Sequence, residues 1–337
     1  MRTIPDHMTA VVLESYSGVE ALQVEKRPVP RPGKNEVLVK MEASPINPSD
    51  LMFIQGLYGF TKPAPTVPGF EGSGTVVAAG SGLAARYLMG KRVACASPMT
   101  GDGTWAEYMV TTTNSALPLK DTVTLEQGAM SIVNPLTAVA LIMIAKQGGH
   151  KTIVSSAAAS ALGQMLIRLA RSEGINVINI VRREEQVALL KKLGATIVLN
   201  SSDPEFEKHL KETCRQHKAR LAFDAVAGPL AAQILNAMPK KGRLTIYGGL
   251  SLQESSINPI SFIFEGKSID GFWLTPWLAQ NSFLKNLRIW RRAQNLMDGD
   301  LRTEIRARYS LENAQKAVAD YQASMTGGKV LITPGQG

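Results

Sequence analysis

The hydrophobic pattern along the chain changes rhythm near Lys151. Over roughly the first 120 residues, short runs with alternating apolar and polar positions are broken by Gly and Pro: EVLVKMEAS (36–44), GSGTVVAAG (72–80), KRVACAS (91–97) and WAEYMVTTT (105–113). Such runs predict short strands in a β-rich domain with many turns. From Lys151 the pattern is different. TIVSS (152–156) is a short apolar strand, and Leu162, Met165, Leu166, Leu169 and Ala170 then recur at helical spacing. NVINIV (strand), EEQVALLKKLG (helix, stopped at Gly194), ATIVLN (strand), EFEKHLKETCRQH (helix), LAFDAV (strand), AAQILNAM (helix) and GRLTIYGG (strand) follow in turn.

Apolar strands alternating with helices over short connections predict an α/β fold with a doubly wound parallel sheet. After about Asp270 the pattern is mixed again, with a helical LENAQKAVADYQA and a closing strand KVLITP. The simplest arrangement is a parallel-sheet domain, residues 127–275, inserted into a β-rich domain formed by 1–126 and 276–337. A length of 337 residues also suits two cores better than one.

Composition narrows the function classes. Hydrophobic residues at 45% and charged residues at 19% exclude a disordered chain, and no run approaches the about 20 apolar residues of a membrane span. The opening MRTIPDHMTAVVLESY has neither an apolar leader core nor an arginine-rich amphipathic pattern, so a cytoplasmic protein is expected. Two distant cysteines, Cys95 and Cys214, exclude a disulfide framework, and His7, His150, His209 and His217 have no ligand spacing, so no metal site is expected. The net charge of +9 is dispersed apart from short clusters such as RIWRRAQ (288–294). Without a basic stripe interleaved with aromatics, it argues against nucleic acid and is compatible with phosphate-bearing small molecules.

The turn between the first parallel strand and its helix carries the first chemical signal. A dinucleotide turn needs small residues so that the chain can bend tightly, approach a pyrophosphate and pack helix against strand. The G-x-G-x-x-G pattern reads here as Ala158-x-Ser160-x-x-Gly163, with only the last glycine kept. Ala and Ser are the next smallest residues, and Ser160 is placed to cap the helix or donate to a phosphate; easy access to positive φ is what is lost. The turn alone supports dinucleotide binding and plain packing equally. Arg182 and Arg183 stand where an NAD site places a carboxylate on the ribose, and arginine there suits the 2′-phosphate of NADP(H). Their bland alternative is an ordinary surface Arg–Glu cluster.

PGFEGSGTVVAAGSG (68–82) resembles the signature of the medium-chain dehydrogenase/reductases. Zinc-dependent members have a histidine where this chain has Phe70, and a cysteine near Asn47, so the resemblance is to the zinc-free, quinone-oxidoreductase-like branch. Within that branch NPSDLMFIQGLYGF (47–60), VNPLTA (133–138), IVRREE (180–185), YGGL (247–250) and GFWLTPW (271–277) are similar to NADPH-dependent trans-2-enoyl thioester reductases. The resemblance implies a Rossmann domain inserted into a GroES-like catalytic domain, NADPH as cofactor and a homodimer paired at the sheet edge. It implies Tyr58 as the catalytic tyrosine, with Asn134 beside the nicotinamide. It implies cofactor contacts from Asn47, Asn134, Thr137, Ala159, Ser160, Ala161, Leu162, Gly163, Arg182, Arg183, Tyr247, Gly248, Gly249, Leu250, Phe272, Trp273 and Lys329. The substrate would be an acyl thioester of coenzyme A or of an acyl carrier protein.

Reducing an enoyl thioester adds hydride at Cβ and a proton at Cα, and the thioester oxygen takes up negative charge. Without zinc, backbone N–H groups or a tyrosine hydroxyl must donate to that oxygen. Tyr58, between Gly56 and Gly59, is the expected donor; packing of its ring is the alternative. Asn134 before Pro135 reads equally as a helix cap. GFWLTPW reads equally as a core or dimer cluster and as part of a pocket. Two other functions stay open at this point: a reductase of quinones or free enones, and a nucleotide- or RNA-binding relative without turnover.

Overall fold

The computed structural model describes residues 4–335. In chain order its strands are β1 (His7–Leu13), β2 (Leu22–Pro28), β3 (Glu36–Pro45), β4 (Glu71–Ala79), β5 (Arg92–Ala96), β6 (Tyr108–Thr112), β7 (Ala116–Pro118), β8 (Thr152–Ser155), β9 (Asn176–Val181), β10 (Ile197–Asn200), β11 (Leu221–Asp224), β12 (Arg243–Ile246), β13 (Ser268–Gly271), β14 (Ile305–Tyr309) and β15 (Lys329–Ile332). The chain forms two compact units, one running to Val133 and resuming at Gln294, the other spanning Asn134–Ala293. These boundaries differ from 126/127 and 275/276. The helix Phe283–Asn295, with Ile289, Trp290 and Ala293 buried and Arg292 paired to Glu173, lies almost wholly in the second unit.

In the first unit the alternating runs pair into a sheet of order β14-β15-β3-β4-β5-β7, with β6 also on β3, beside a separate β1-β2 ladder. Most of its pairs are antiparallel, as short runs joined by turns dictate. Its core gathers Val11, Leu13, Phe53, Ile54, Trp105 and Tyr321. The C-terminal β15 enters this sheet between β14 and β3, so both ends of the chain serve one unit.

In the second unit six strands form a wholly parallel sheet of order β10-β9-β8-β11-β12-β13. The central strands β8 and β11 are buried at every position, which is why their sequences are apolar runs without alternation. Two clusters flank the sheet. One joins Val154, Ile178 and Ala222 to Phe206, Leu210 and Ile234; the other joins Ala158, Ile167, Val187 and Leu190. The chain leaves β8 towards β9 on one side, while β11 adjoins β8 on the other. The order reverses between β8 and β11, where a doubly wound sheet opens a crevice at its strand ends.

Candidate active site

The turns at the C-terminal ends of the parallel strands carry most of the predicted cofactor residues. Ser160 caps the helix Ala161–Ser172, its Oγ accepting from Gly163 N–H at 3.1 Å. The other first-turn N–H groups and the helix dipole give this end of the helix a positive potential. Ala158 N–H donates to Ile180 O at 3.1 Å, tying the turn to β9. Gly163 is the glycine the turn cannot replace, because a Cβ there would stand 2.4 Å from Ala158 O. The bend that glycine usually makes is made by Ala157 at φ 47°, a left-handed conformation that costs an alanine about 1–2 kcal/mol. Ala159 and Leu162 are buried, and Ser160 and Ala161 are half-exposed.

Arg182 and Arg183 follow β9 and are exposed, their backbone N–H groups donating to Gln186 Oε1 at 3.1 and 3.2 Å. Arg183 pairs with Glu185 at 2.7 Å, so the surface ion pair of the bland alternative is present, on a loop exposed enough to take a phosphate. Tyr247–Leu250 follow β12. Tyr247 N–H donates to Asp224 O at 2.8 Å and Leu250 N–H to Ala225 O at 3.0 Å. A Cβ at Gly248 would lie 2.8 Å from Ala225 O, whereas one at Gly249 meets open space. The Tyr247 hydroxyl is buried without a hydrogen-bond partner among the described residues; burial, and secondarily the Asp224 carboxylate, push its pKa up. Phe272 and Trp273 follow β13, and with Ile144, Arg243 and Trp277 they line an open cleft of about 480 Å³. The aromatic segment is thus a surface feature, with Trp273 39% exposed, and no part of a core. Asn134 and Thr137 lie in the first turns of the helix Val133–Gln147.

Asn47, Tyr58 and Lys329 belong to the first unit. Tyr58 is half-buried on an otherwise exposed turn, its ring 4.7 Å from Phe70 and 5.3 Å from Phe60. Asn47 and Lys329 are buried. The Lys329 ammonium donates to Ile46 O at 3.0 Å and to Asn47 Oδ1, and Asn47 Nδ2 donates to Glu71 Oε1 at 3.0 Å. Glu71 Oε2 accepts from Ile132 and Val133 N–H. Asp50 accepts from Asn47 N–H at 2.8 Å and Phe70 N–H at 3.0 Å. Burial pushes Asp50 up to about 7 and raises Glu71, and it pulls Lys329 down to about 8. The carboxylates on either side of Phe70 therefore anchor the strand start that presents its ring to Tyr58. Sequence reasoning passed over Asp50, Glu71, Ser156 and Asp224. The available signal was a lone carboxylate in an apolar setting, as in LAFDAV.

The family described as an alcohol dehydrogenase GroES-like domain matches residues 33–121, and that described as a zinc-binding dehydrogenase matches 161–289. A mitochondrial enoyl-[acyl-carrier-protein] reductase of Xenopus tropicalis is 30% identical over 328 residues, covering 93% of this chain and 91% of its own length. The chain belongs to the medium-chain dehydrogenase/reductase superfamily. It is an oxidoreductase of that superfamily, with the expected α/β fold of GroES-like and Rossmann parts. The solved structure of a Mesorhizobium loti protein assigned as an NADPH:quinone reductase has a TM-score of 0.92 and 41% identity, covering 98% of this chain and all of that one. A mycobacterial protein crystallised with NADPH has a TM-score of 0.85 and 26% identity, covering 97% of this chain and 100% of its own.

The donor set of this superfamily member does not fit a zinc ion. Phe70 has no donor atom, both ends of the Asn47 amide are engaged, and among the described residues no three His, Cys, Asp or Glu side chains come together. Among those residues, too, no helix is long and apolar enough to cross a membrane.

Proposed function

We propose that the protein uses NADPH to reduce an activated carbon–carbon double bond, with 2-enoyl thioesters of coenzyme A or an acyl carrier protein as substrates. The observation that carries this reading is the near full-length similarity to an enoyl reductase in a chain that puts a tyrosine ring against Phe70. NADPH fits the parallel-sheet unit. Ser160 and the N–H groups of Ala161 and Leu162 would hold its pyrophosphate, and Arg182 and Arg183 its 2′-phosphate. Gly248, Gly249 and Leu250, with Phe272 and Trp273, complete the strand-end contacts, and Asn134 and Thr137 contribute from their helix. Lys329 and Asn47 act through each other, holding the segment before Tyr58.

When bound, NADPH supplies the hydride that adds at Cβ. The Tyr58 hydroxyl donates to the thioester oxygen as it gains charge, then passes that proton to Cα and is reprotonated from solvent. A reducing compartment such as the cytoplasm fits the free, buried thiols of Cys95 and Cys214. Pairing of two copies along the edge strand β13 belongs to the same proposal.

The similarity to the Mesorhizobium loti protein favours a second reading, reduction of quinones. NADPH oxidation followed with trans-2-hexenoyl-CoA and, in parallel, a simple benzoquinone separates the two. The thioester is expected to turn over at least tenfold faster in kcat/KM. Turnover of the quinone alone would establish the second reading, and turnover of neither would remove both.

A further inference from the structure

The phosphate turn lacks the glycines that normally let such a turn bend, and the structure contains a device that takes their place. At the reversal point of the sheet, Ser156 follows β8 and Asp224 ends β11, both fully buried. Ser156 Oγ donates to Asp224 Oδ1 and accepts from Ala225 N–H at 2.8 Å, while Ser156 N–H donates to Phe223 O at 3.1 Å. Asp224 Oδ1 also accepts from Val226 N–H at 2.9 Å, and Oδ2 from Ala227 N–H at 3.0 Å.

Two non-glycine residues with left-handed backbone, Ala157 at φ 47° and Ala227 at φ 61°, adjoin this pair; a third, Leu252 at φ 55°, follows the turn 247–250. Ala157 is bonded covalently to Ser156, and Ala227 hangs from the Asp224 carboxylate. The same short stretch, through Asp224 O and Ala225 O, accepts from Tyr247 and Leu250 N–H. The buried Ser–Asp contact therefore joins the turns 156–160 and 224–228, and backbone bonds to the second of these tie in the turn 247–250.

We propose that Ser156 and Asp224 are positioning residues for the dinucleotide phosphate. Locked to the neighbouring strand, they force the alanine turn into the conformation glycine would adopt freely and set its register against the other two turns. The inference rests on the reading that NADPH binds at this turn. It assigns Asp224 no contact with the cofactor and explains how an alanine-rich turn still serves one.

The test uses the full chain, NADPH titrated against tryptophan fluorescence, and thermal unfolding. Ser156→Ala is expected to raise the NADPH Kd about tenfold with a change in Tm of only a few degrees, and Asp224→Asn to raise it further. In Ser156→Ala/Ala157→Gly, the glycine takes a positive φ without steric cost, so most of the lost affinity should return. A pair that only stabilises the fold would lower Tm, and the second-site glycine would recover no affinity. That result overturns the proposal, as does a folded Ser156→Ala protein whose Kd stays within twofold of wild type.

Should Ser156→Ala not fold, Ala157→Val keeps the pair intact but puts a β-branched side chain at the left-handed position. It should weaken NADPH about tenfold, and an unchanged Kd would again overturn the proposal. Failure of the wild-type chain to bind NADPH saturably would instead refute the cofactor reading, and this inference would fall with it.

Discussion

At Tyr58 a ring and a hydroxyl carry separate jobs. The ring lies against Phe70 and Phe60, which fixes its position, and the hydroxyl is the group proposed to meet developing charge. Tyr58→Phe keeps the stacking and removes only the hydroxyl. It is expected to lower kcat about 100-fold while the NADPH Kd moves less than about threefold. A kcat within about threefold of wild type would make Tyr58 a packing residue, since phenylalanine keeps the ring contacts. Lys329 illustrates the reverse situation. A lysine in TGGKVLITP resembles a cofactor contact, yet its ammonium is turned inward on Asn47 and Ile46, because β15 enters the sheet beside β3. Which way a lysine points depends on the strand pairing, and a linear sequence does not carry that.

At the scale of elements, the turn from β9 into the helix Glu184–Lys192 is the proposed selector between the two nicotinamide cofactors. Arg182 and Arg183 are exposed at its start, where the proposed 2′-phosphate of NADPH would add a ligand beside the Glu185 carboxylate that already pairs with Arg183. Arg182→Ala/Arg183→Ala should weaken NADPH about 10- to 100-fold and leave NADH within about twofold, measured as paired Kd values. A uniform loss for both cofactors would return the arginines to the surface Glu–Arg cluster, of which the Arg183–Glu185 pair is already a part. The preceding turn shows how an element can keep its geometry after losing its motif. Small side chains preserve the close packing, Gly163 preserves the one contact where a Cβ cannot fit, and a serine supplies the cap. A pattern search for glycines sees only the loss.

At the scale of the whole molecule, the buried Asp50–Glu71–Lys329 cluster leaves a mark on stability. Asp50 rises from 3.8 to about 7 by burial, so between those values the folded protein holds a proton that the unfolded chain has released. Its contribution is fully present below about pH 4 and is lost as the pH rises through about 7; Glu71 shifts in the same direction. Lys329, lowered to about 8, titrates above this window. Urea unfolding of Asp50→Asn between about pH 4 and pH 7 should therefore give a flatter stability curve than wild type, whatever the absolute loss from replacing an acceptor of two backbone N–H groups. An unchanged slope would assign the titration to Glu71 alone. What the sequence by itself determined is the order and type of the elements from β8 to β12, since hydrophobic period is a local property that burial on one or both faces writes directly into the chain. It also determined the small-residue turn, the arginine pair and the absence of zinc donors at positions 47 and 70. The tertiary structure alone decided that Asp224 meets Ser156 at the head of the alanine turn, that Lys329 faces Asn47, and that the aromatic segment 271–277 lines a surface cleft. Each of these joins residues brought together by strand order and register, and long-range pairing leaves no periodic trace in the sequence.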